Sequence, residues 1–261
     1  MKALKELLAV AQEAVAIGSK LMLKDGPGGV HLKGDRDLVT DMDIKIQEQV
    51  RTFLEEKTPD FNFLGEEQGG GSVDESEEFV WALDPIDGTS NFAHRIPLCA
   101  SQLALIHRGE PVIGVITAPF LGLNYYGSKG GGSFCNGEPI NSSSVTEIDR
   151  AIVSIGDYAT GSGAAKKNER RFAVTRMLAE QVERVRMWGS AALDLAFVAD
   201  GRTDACVILA NKPWDTAAGV LIAREAGALV VDATGVRHDF SSTATIATAP
   251  GLELALLDRL R

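Results

Sequence analysis

A chain of 261 residues with 45% hydrophobic and 24% charged side chains has material for a sizeable core and the composition of an ordinary globular protein. A formal net charge of -10 argues against a nucleic-acid partner, because phosphate backbones are held by surplus Lys and Arg; a small anionic substrate is compatible if something positive bridges it to an acidic site. No apolar run approaches a bilayer span, and Cys99, Cys135 and Cys206 are odd in number without a C-x-x-C pair, so the expectation is a soluble cytoplasmic protein with no disulfide framework and no thiolate zinc site.

In chain order, residues 2–24 carry Leu4, Leu7, Leu8, Ala11, Ala14 and Val15 at helical spacing. Glu6 and Glu13 interrupt the apolar stretches, so the segment reads as an amphipathic helix and not as a secretory signal, and "DGPGG" at 25–29 ends it. A second helix fits 41–57 through Ile46, Val50, Phe53 and Leu54. Short apolar runs at 61–65, 79–83, 100–107 and 111–118 read as strands, the last two joined at "RGE", and "LNYYGS" with "GSFCNGEPI" reads as a further hairpin. The second half alternates: strand 151–155, helix 166–183, strand 184–188, helix 190–200, strand 204–209, helix 215–226, strand 228–232. Such alternation predicts layered α/β packing, with an N-terminal α+β half over 1–150 and a C-terminal α/β half over 151–261 in one cooperative unit. The Gly/Ser-rich piece "GDYATGSGAAKK" at 156–167 is the expected mobile loop and a candidate rim for a site.

Chemistry concentrates in "WALDPIDGTSNF", residues 81–92. Asp84 follows a predicted strand, and Pro85 ends the ladder, so a turn is expected to bring the Asp84 and Asp87 carboxylates together. Two close carboxylates repel unless a proton or cation lies between them, and hard oxygen ligands suit Mg²⁺ or Mn²⁺. Gly88, Thr89 and Ser90 then open a segment whose free N–H groups suit a phosphate. Alternatively, Asp84 or Asp87 is a helix N-cap and Gly88 a turn residue. Further acids gather at Glu66 and Glu67 after a strand, at Asp37, Asp41 and Asp43 with Thr40 near the second helix, and at Asp215 where a helix begins. The four histidines show no ligand spacing.

Together, "GEE", "DPIDGTSNF" and "WDTAAGVLIAREAGA" resemble the inositol monophosphatase family of magnesium-dependent, lithium-sensitive phosphatases, in the family's order and with "DLVTDMD", "GSFCNGEPI" and "GSAALDLAFVADGRTDA" between them. The resemblance implies an α-β-α-β-α sandwich, usually a homodimer, that hydrolyses a small phosphorylated alcohol. It also implies that Glu66, Asp84 and the Ile86 carbonyl hold one metal, that Asp84, Asp87 and Asp215 hold a second, and that a third is possible. Thr89, with Asp43 behind it and Glu66 beside it, matches the group that orients and deprotonates water. Gly88 and Thr89 match phosphate contacts, with Asp87, and Gly189, Ser190 and Ala191 match the substrate-facing backbone. Glu67 is left between a support and a solvated acid, and Lys33 between a basic residue near the metals and a surface lysine.

One departure concerns the alcohol. Family members acting on inositol phosphates usually carry an acid seven positions before the Asp of "WD", and here that position is Ile208, which predicts an altered leaving-group pocket. Inositol-1-phosphate is the default substrate; histidinol phosphate, 3'-phosphoadenosine 5'-phosphate and fructose 1,6-bisphosphate are the alternatives, and a regulatory binding protein of the same fold is the alternative of another class.

Overall fold

The computed structural model describes residues 4–67, 71–74 and 76–260. Helix α1 (Leu4–Lys24) leads into a hairpin of β1 (Val30–Gly34) and β2 (Asp37–Thr40), then α2 (Asp41–Lys57). Strands β3 (Asn62–Gly65) and β4 (Phe79–Asp87) follow, then the short α3 (Thr89–Ala93). A meander of β5 (Ala100–His107), β6 (Glu110–Ala118), β7 (Leu123–Ser128), β8 (Gly132–Cys135) and β9 (Glu138–Pro139) completes a seven-stranded sheet in the order β3 to β9.

The second half runs β10 (Ile152–Ile155), α4 (Ala164–Gln181), β11 (Arg184–Arg186), α5 (Ala191–Ala199), β12 (Ala205–Ile208), α6 (Pro213–Glu225), β13 (Leu229–Val231), β14 (Thr245–Thr248) and α7 (Glu253–Leu260). Its five strands order β11-β10-β12-β14-β13, with β10 parallel to β11 and β12.

Strand alternation builds the layers. Trp81 and Leu83 on β4 join Leu7, Ala14, Ile46 and Val50 of α1 and α2 in one apolar cluster, while Val80 and Ala82 join α5 and α6 on the opposite face. On β12, Cys206 and Ile208 face that same middle layer, and Ala205 and Val207 pack with Leu178 of α4 and Leu256 of α7. The result is an α-β-α-β-α sandwich with α5 and α6 between the sheets. A Cβ on Gly114 would stand 2.5 Å from the Ala218 carbonyl, so a glycine on β6 is what lets α6 lie this close to the sheet.

Most expected elements are present within a residue or two, although residues 2 and 3 of the first helix and residue 261 lie outside the described residues. One expectation is corrected: Asp84 and Asp87 sit on no turn, because β4 continues through Pro85 to Asp87. Asp84 pairs with Gln102 and Asp87 with Ala100, so Pro85 and Ile86 on β4 stand against Ser101 alone on β5, which makes a β-bulge. Proline is tolerated there because a bulge removes its residue from the regular ladder. The β1–β2 hairpin, β14 and α7 are elements the periodicity did not foresee. Every residue of β1 is exposed, so no alternation marks it, and β14 is a four-residue, fully buried run.

Candidate active site

The bulge decides which way the acids point. In a regular strand, residues three apart face opposite sides; the extra residue restores the parity, so Asp84 and Asp87 share one face while Ile86 turns into the cluster with Trp81 and Leu83. Strand β3 runs parallel to β4 with Gly65 opposite Leu83, and the Glu66 N–H donates to the Leu83 carbonyl at 3.2 Å, so Glu66 leaves its strand beside Asp84. Asp215 arrives from the other half of the chain, as the third residue of α6 behind Pro213. Gln102 donates its Nε2 to the Asp215 carbonyl at 3.0 Å and so ties the start of α6 to the sheet.

Carboxylate oxygens of Glu66, Asp84 and Asp215 all lie within 4.8 Å of one another. Asp84 is 2% exposed, and its Oδ1 has no hydrogen-bond partner. Burial, then the charges of Glu66, Asp87 and Asp215, raises its pKa well above the ordinary value, and burial with Glu66 and Asp87 does the same to Asp215. An orphaned buried oxygen among repelling acids is the environment a hard divalent cation relieves, so these residues fit a metal.

Asp87 stands beside this trio but is turned toward α5. Its Oδ2 accepts the Ser190 hydroxyl and the Ala192 N–H at 2.9 Å, and its Oδ1 accepts the Ala191 N–H at 3.3 Å. The carboxylate thus caps the first turn of α5, where negative charge is favoured. Burial pushes it up to about 6 even though Ser190 and the two N–H groups pull it down.

Asp43 is the third residue of α2 and closes a capping box with Thr40, whose N–H and Oγ1 reach Asp43 Oδ2 at 2.8 and 2.5 Å. Its other oxygen faces Thr89, whose single hydroxyl proton is placed between Asp43 Oδ1 at 3.3 Å and the Ile86 carbonyl at 2.9 Å. Burial raises Asp43 to about 6. Lys33, on the β1–β2 hairpin, bridges Glu66 at 2.8 Å and Glu67 at 2.9 Å. Burial works to lower its pKa, but the two glutamates outweigh it and hold the ammonium charged. Glu67 is raised to about 7 by burial, and Gln47 holds its N–H at 3.0 Å.

Gly88 has a φ of 83°, and a Cβ there would stand 3.0 Å from the carbonyls of Gly189 and Leu98; the backbones of two expected substrate segments touch because this residue is glycine. Asn91, which sequence reasoning passed over, fastens them by donating Nδ2 to the Leu98 and Trp188 carbonyls at 2.7 and 2.8 Å. Cys99 also borders Gly88, and burial pushes its thiol up to about 12, so it is no nucleophile.

Ile208, the expected leaving-group contact, lies largely inside the middle layer. It is 6% exposed and belongs to the middle-layer cluster with Leu193, Ala196 and Ala217, because strand parity turns it inward.

Fold and site together define a class: layered α/β phosphatases with an acidic centre suited to a divalent cation. The chain belongs to the inositol monophosphatase family, whose sequence profile it matches over residues 2–260. Inositol monophosphatase 1 of Solanum lycopersicum is 32% identical over 99% of this chain and 96% of its own length. The fructose-1,6-bisphosphatase/inositol-1-monophosphatase of Thermotoga maritima is 37% identical over 77% of this chain and 74% of its own. Among solved structures, the extragenic suppressor protein suhB of Bartonella henselae superposes with a TM-score of 0.90 at 31% identity, covering 98% of each chain. The protein is accordingly a phosphoric monoester hydrolase of the inositol monophosphatase type. Among the described residues, no helix is long and apolar enough to cross a membrane.

Proposed function

We propose that the chain hydrolyses a small phosphorylated alcohol, inositol-1-phosphate by default, with Mg²⁺ or in its place Mn²⁺ held by Glu66, Asp84, Asp87, Asp215 and the Ile86 carbonyl. The observation that carries the reading is the orphaned Asp84 Oδ1, buried where Glu66 and Asp215 converge. A divalent cation, when bound, neutralises phosphate charge and acidifies water. The chain's own groups do the rest. Thr89 Oγ1, which lies between Asp43 and the Ile86 carbonyl, orients the attacking water. That hydroxyl takes the water's proton as it passes its own to Asp43 Oδ1, and Asp43's raised pKa suits it to the task, with Glu66 beside the water. The N–H groups of Gly88 and Thr89 would position the phosphate, Asp87 would act on it only through the cation it helps to hold, and Gly189, Ser190 and Ala191 line the side where the alcohol departs.

The remaining finer readings rest on the same resemblance. Lithium competes at the Asp84, Asp87 and Asp215 site at millimolar order. The chain forms a homodimer, to which the exposed Leu23, Ile96 and Phe120 around one apolar groove give a surface. It works in the cytoplasm, where its three free cysteines stay reduced. The decisive measurement is phosphate release from inositol-1-phosphate, histidinol phosphate, 3'-phosphoadenosine 5'-phosphate and fructose 1,6-bisphosphate, with and without Mg²⁺. Release that EDTA leaves unchanged defeats the metal assignment, and lithium titration with sedimentation settles the other two.

A further inference from the structure

Glu66 and Asp84 leave neighbouring strands of one sheet, and the bond from the Glu66 N–H to the Leu83 carbonyl sets them side by side. Asp215 comes from another layer, on a first turn of α6 that has no side-chain cap at Lys212. Far from the acids, α6 is fastened to the seven-stranded sheet by the Ser133 hydroxyl, which donates to the Ile222 carbonyl at 2.7 Å, and by the N–H groups of Gly130 and Gly132, which donate to Glu225 at 2.9 and 3.0 Å. At the acidic end the fastening is Gln102, whose Nε2 donates to the Asp215 carbonyl at 3.0 Å. Among the described residues, no other hydrogen bond joins the first turn of α6 to that sheet.

Gln102 is fully buried on β5, directly opposite Asp84 on β4. Residues opposite one another on paired strands share a face, so the amide stands on the side of the sheet where the acids gather. Half of it is satisfied, since Oε1 has no partner. Exchanging the amide's oxygen and nitrogen would set two oxygens against each other, so Nε2 is the atom on Asp215. A buried amide oxygen without a donor costs stability, and an apolar side chain of similar length, such as methionine, avoids that cost. Packing therefore does not explain a glutamine here. What its one bond secures is the place of Asp215, whose carboxylate lies within 4.8 Å of those of Glu66 and Asp84. Like charges that close repel, and a tether on the main chain of the one ligand drawn from another layer opposes its withdrawal.

Resting on the cation centre of the phosphatase reading above, we propose that Gln102 is its positioning residue: the amide holds the first turn of α6 so that Asp215 meets Glu66 and Asp84 around a divalent cation, and the fold gives up stability for that placement. The test measures Mn²⁺ binding, with free Mn²⁺ counted by its electron paramagnetic resonance, and the metal-free melting temperature. Both are taken on the wild type, Gln102→Met, Gln102→Asn and Ser133→Ala. In Gln102→Met the dissociation constant should rise roughly 10–100-fold, the usual loss when a group that orients a metal ligand is removed, while the metal-free melting temperature holds or rises. Gln102→Asn keeps an amide without its reach and should shift the constant in the same direction. Ser133→Ala cuts the far fastening of α6 and should lower the melting temperature with the constant unchanged. Wild-type affinity in Gln102→Met, or an equal loss of affinity in Ser133→Ala, overturns the assignment while leaving the cation centre intact. A Gln102→Met chain that does not fold, beside a Gln102→Asn chain that binds Mn²⁺ as the wild type does, makes the amide purely structural and overturns it as well. If the wild type itself binds no Mn²⁺, the cation centre falls and the positioning role with it.

Discussion

Two buried aspartates in different corners of the molecule show how burial alone differs from function. Asp204, 7% exposed, receives the Ser143 hydroxyl at 2.5 Å and the Ile152 N–H at 2.7 Å, one on each oxygen, and so pins the start of β10 beside β12. Asp84, 2% exposed, has an oxygen with no partner and other acids for neighbours. Satisfied by donors, a buried carboxylate holds structure together; unsatisfied among its own kind, it costs stability until a cation arrives.

The largest effect expected from that contrast is at Asp84. Asp84→Asn removes a charge from the repelling group, so turnover falls by about 10³-fold or more while the metal-free melting temperature rises and the rise on adding Mg²⁺ disappears. Retained turnover breaks the contrast. Planting an acid where neither donor nor cation meets it should instead cost stability: Ile208→Glu destabilises by roughly 2–4 kcal/mol in urea unfolding and does not raise preference for inositol-1-phosphate. If inositol preference rises with stability intact, the inward placement of Ile208 is wrong. Asp204→Ala leaves two donors unpaired and loses about 2 kcal/mol, with the Mg²⁺ response of the remaining folded protein unchanged.

The smallest expected effect is in pH dependence, where the two corners differ in sign. Asp43 and Asp87 are held by burial at about 6, above their ordinary 3.8, so the folded metal-free chain binds protons that the unfolded chain has lost, and this contribution to stability fades as pH rises from about 4 to about 6. Since a cation displaces those protons, Mg²⁺ should raise the melting temperature more at about pH 8 than at about pH 5. His238, near the C-terminal sheet, behaves in the opposite way. Burial, aided by Arg224, holds it at about 4 against 6.5, so stability falls as pH drops through that interval, at up to about 1.4 kcal/mol per pH unit. His238→Gln should flatten the acid side of a pH–stability curve without altering its Mg²⁺-dependent side.

Glu66, Asp84 and Asp215 were legible as a set because strand ends, a helix start and acidic residues are local signals, and the family resemblance joined them. Asn91 and Gln102 were not marked, since an amide becomes informative only when its partner is known, and their partners lie 7 to 113 residues away.

What the sequence by itself determined is whatever depends on neighbouring residues: the amphipathic periods of α1 and α2, the buried runs of the central strands, the acids at their ends and the family whose motifs these are. Tertiary structure alone decided which way those acids point. A one-residue bulge opposite β5 reverses side-chain parity between Asp84 and Asp87, α5 supplies donors to both oxygens of Asp87, and strand parity on β12 turns Ile208 toward the middle layer. Each of these rests on a register or a layer contact between distant segments, and side-chain direction in a strand has a period of two, so a shift of one residue in a partner that local sequence cannot see changes the answer.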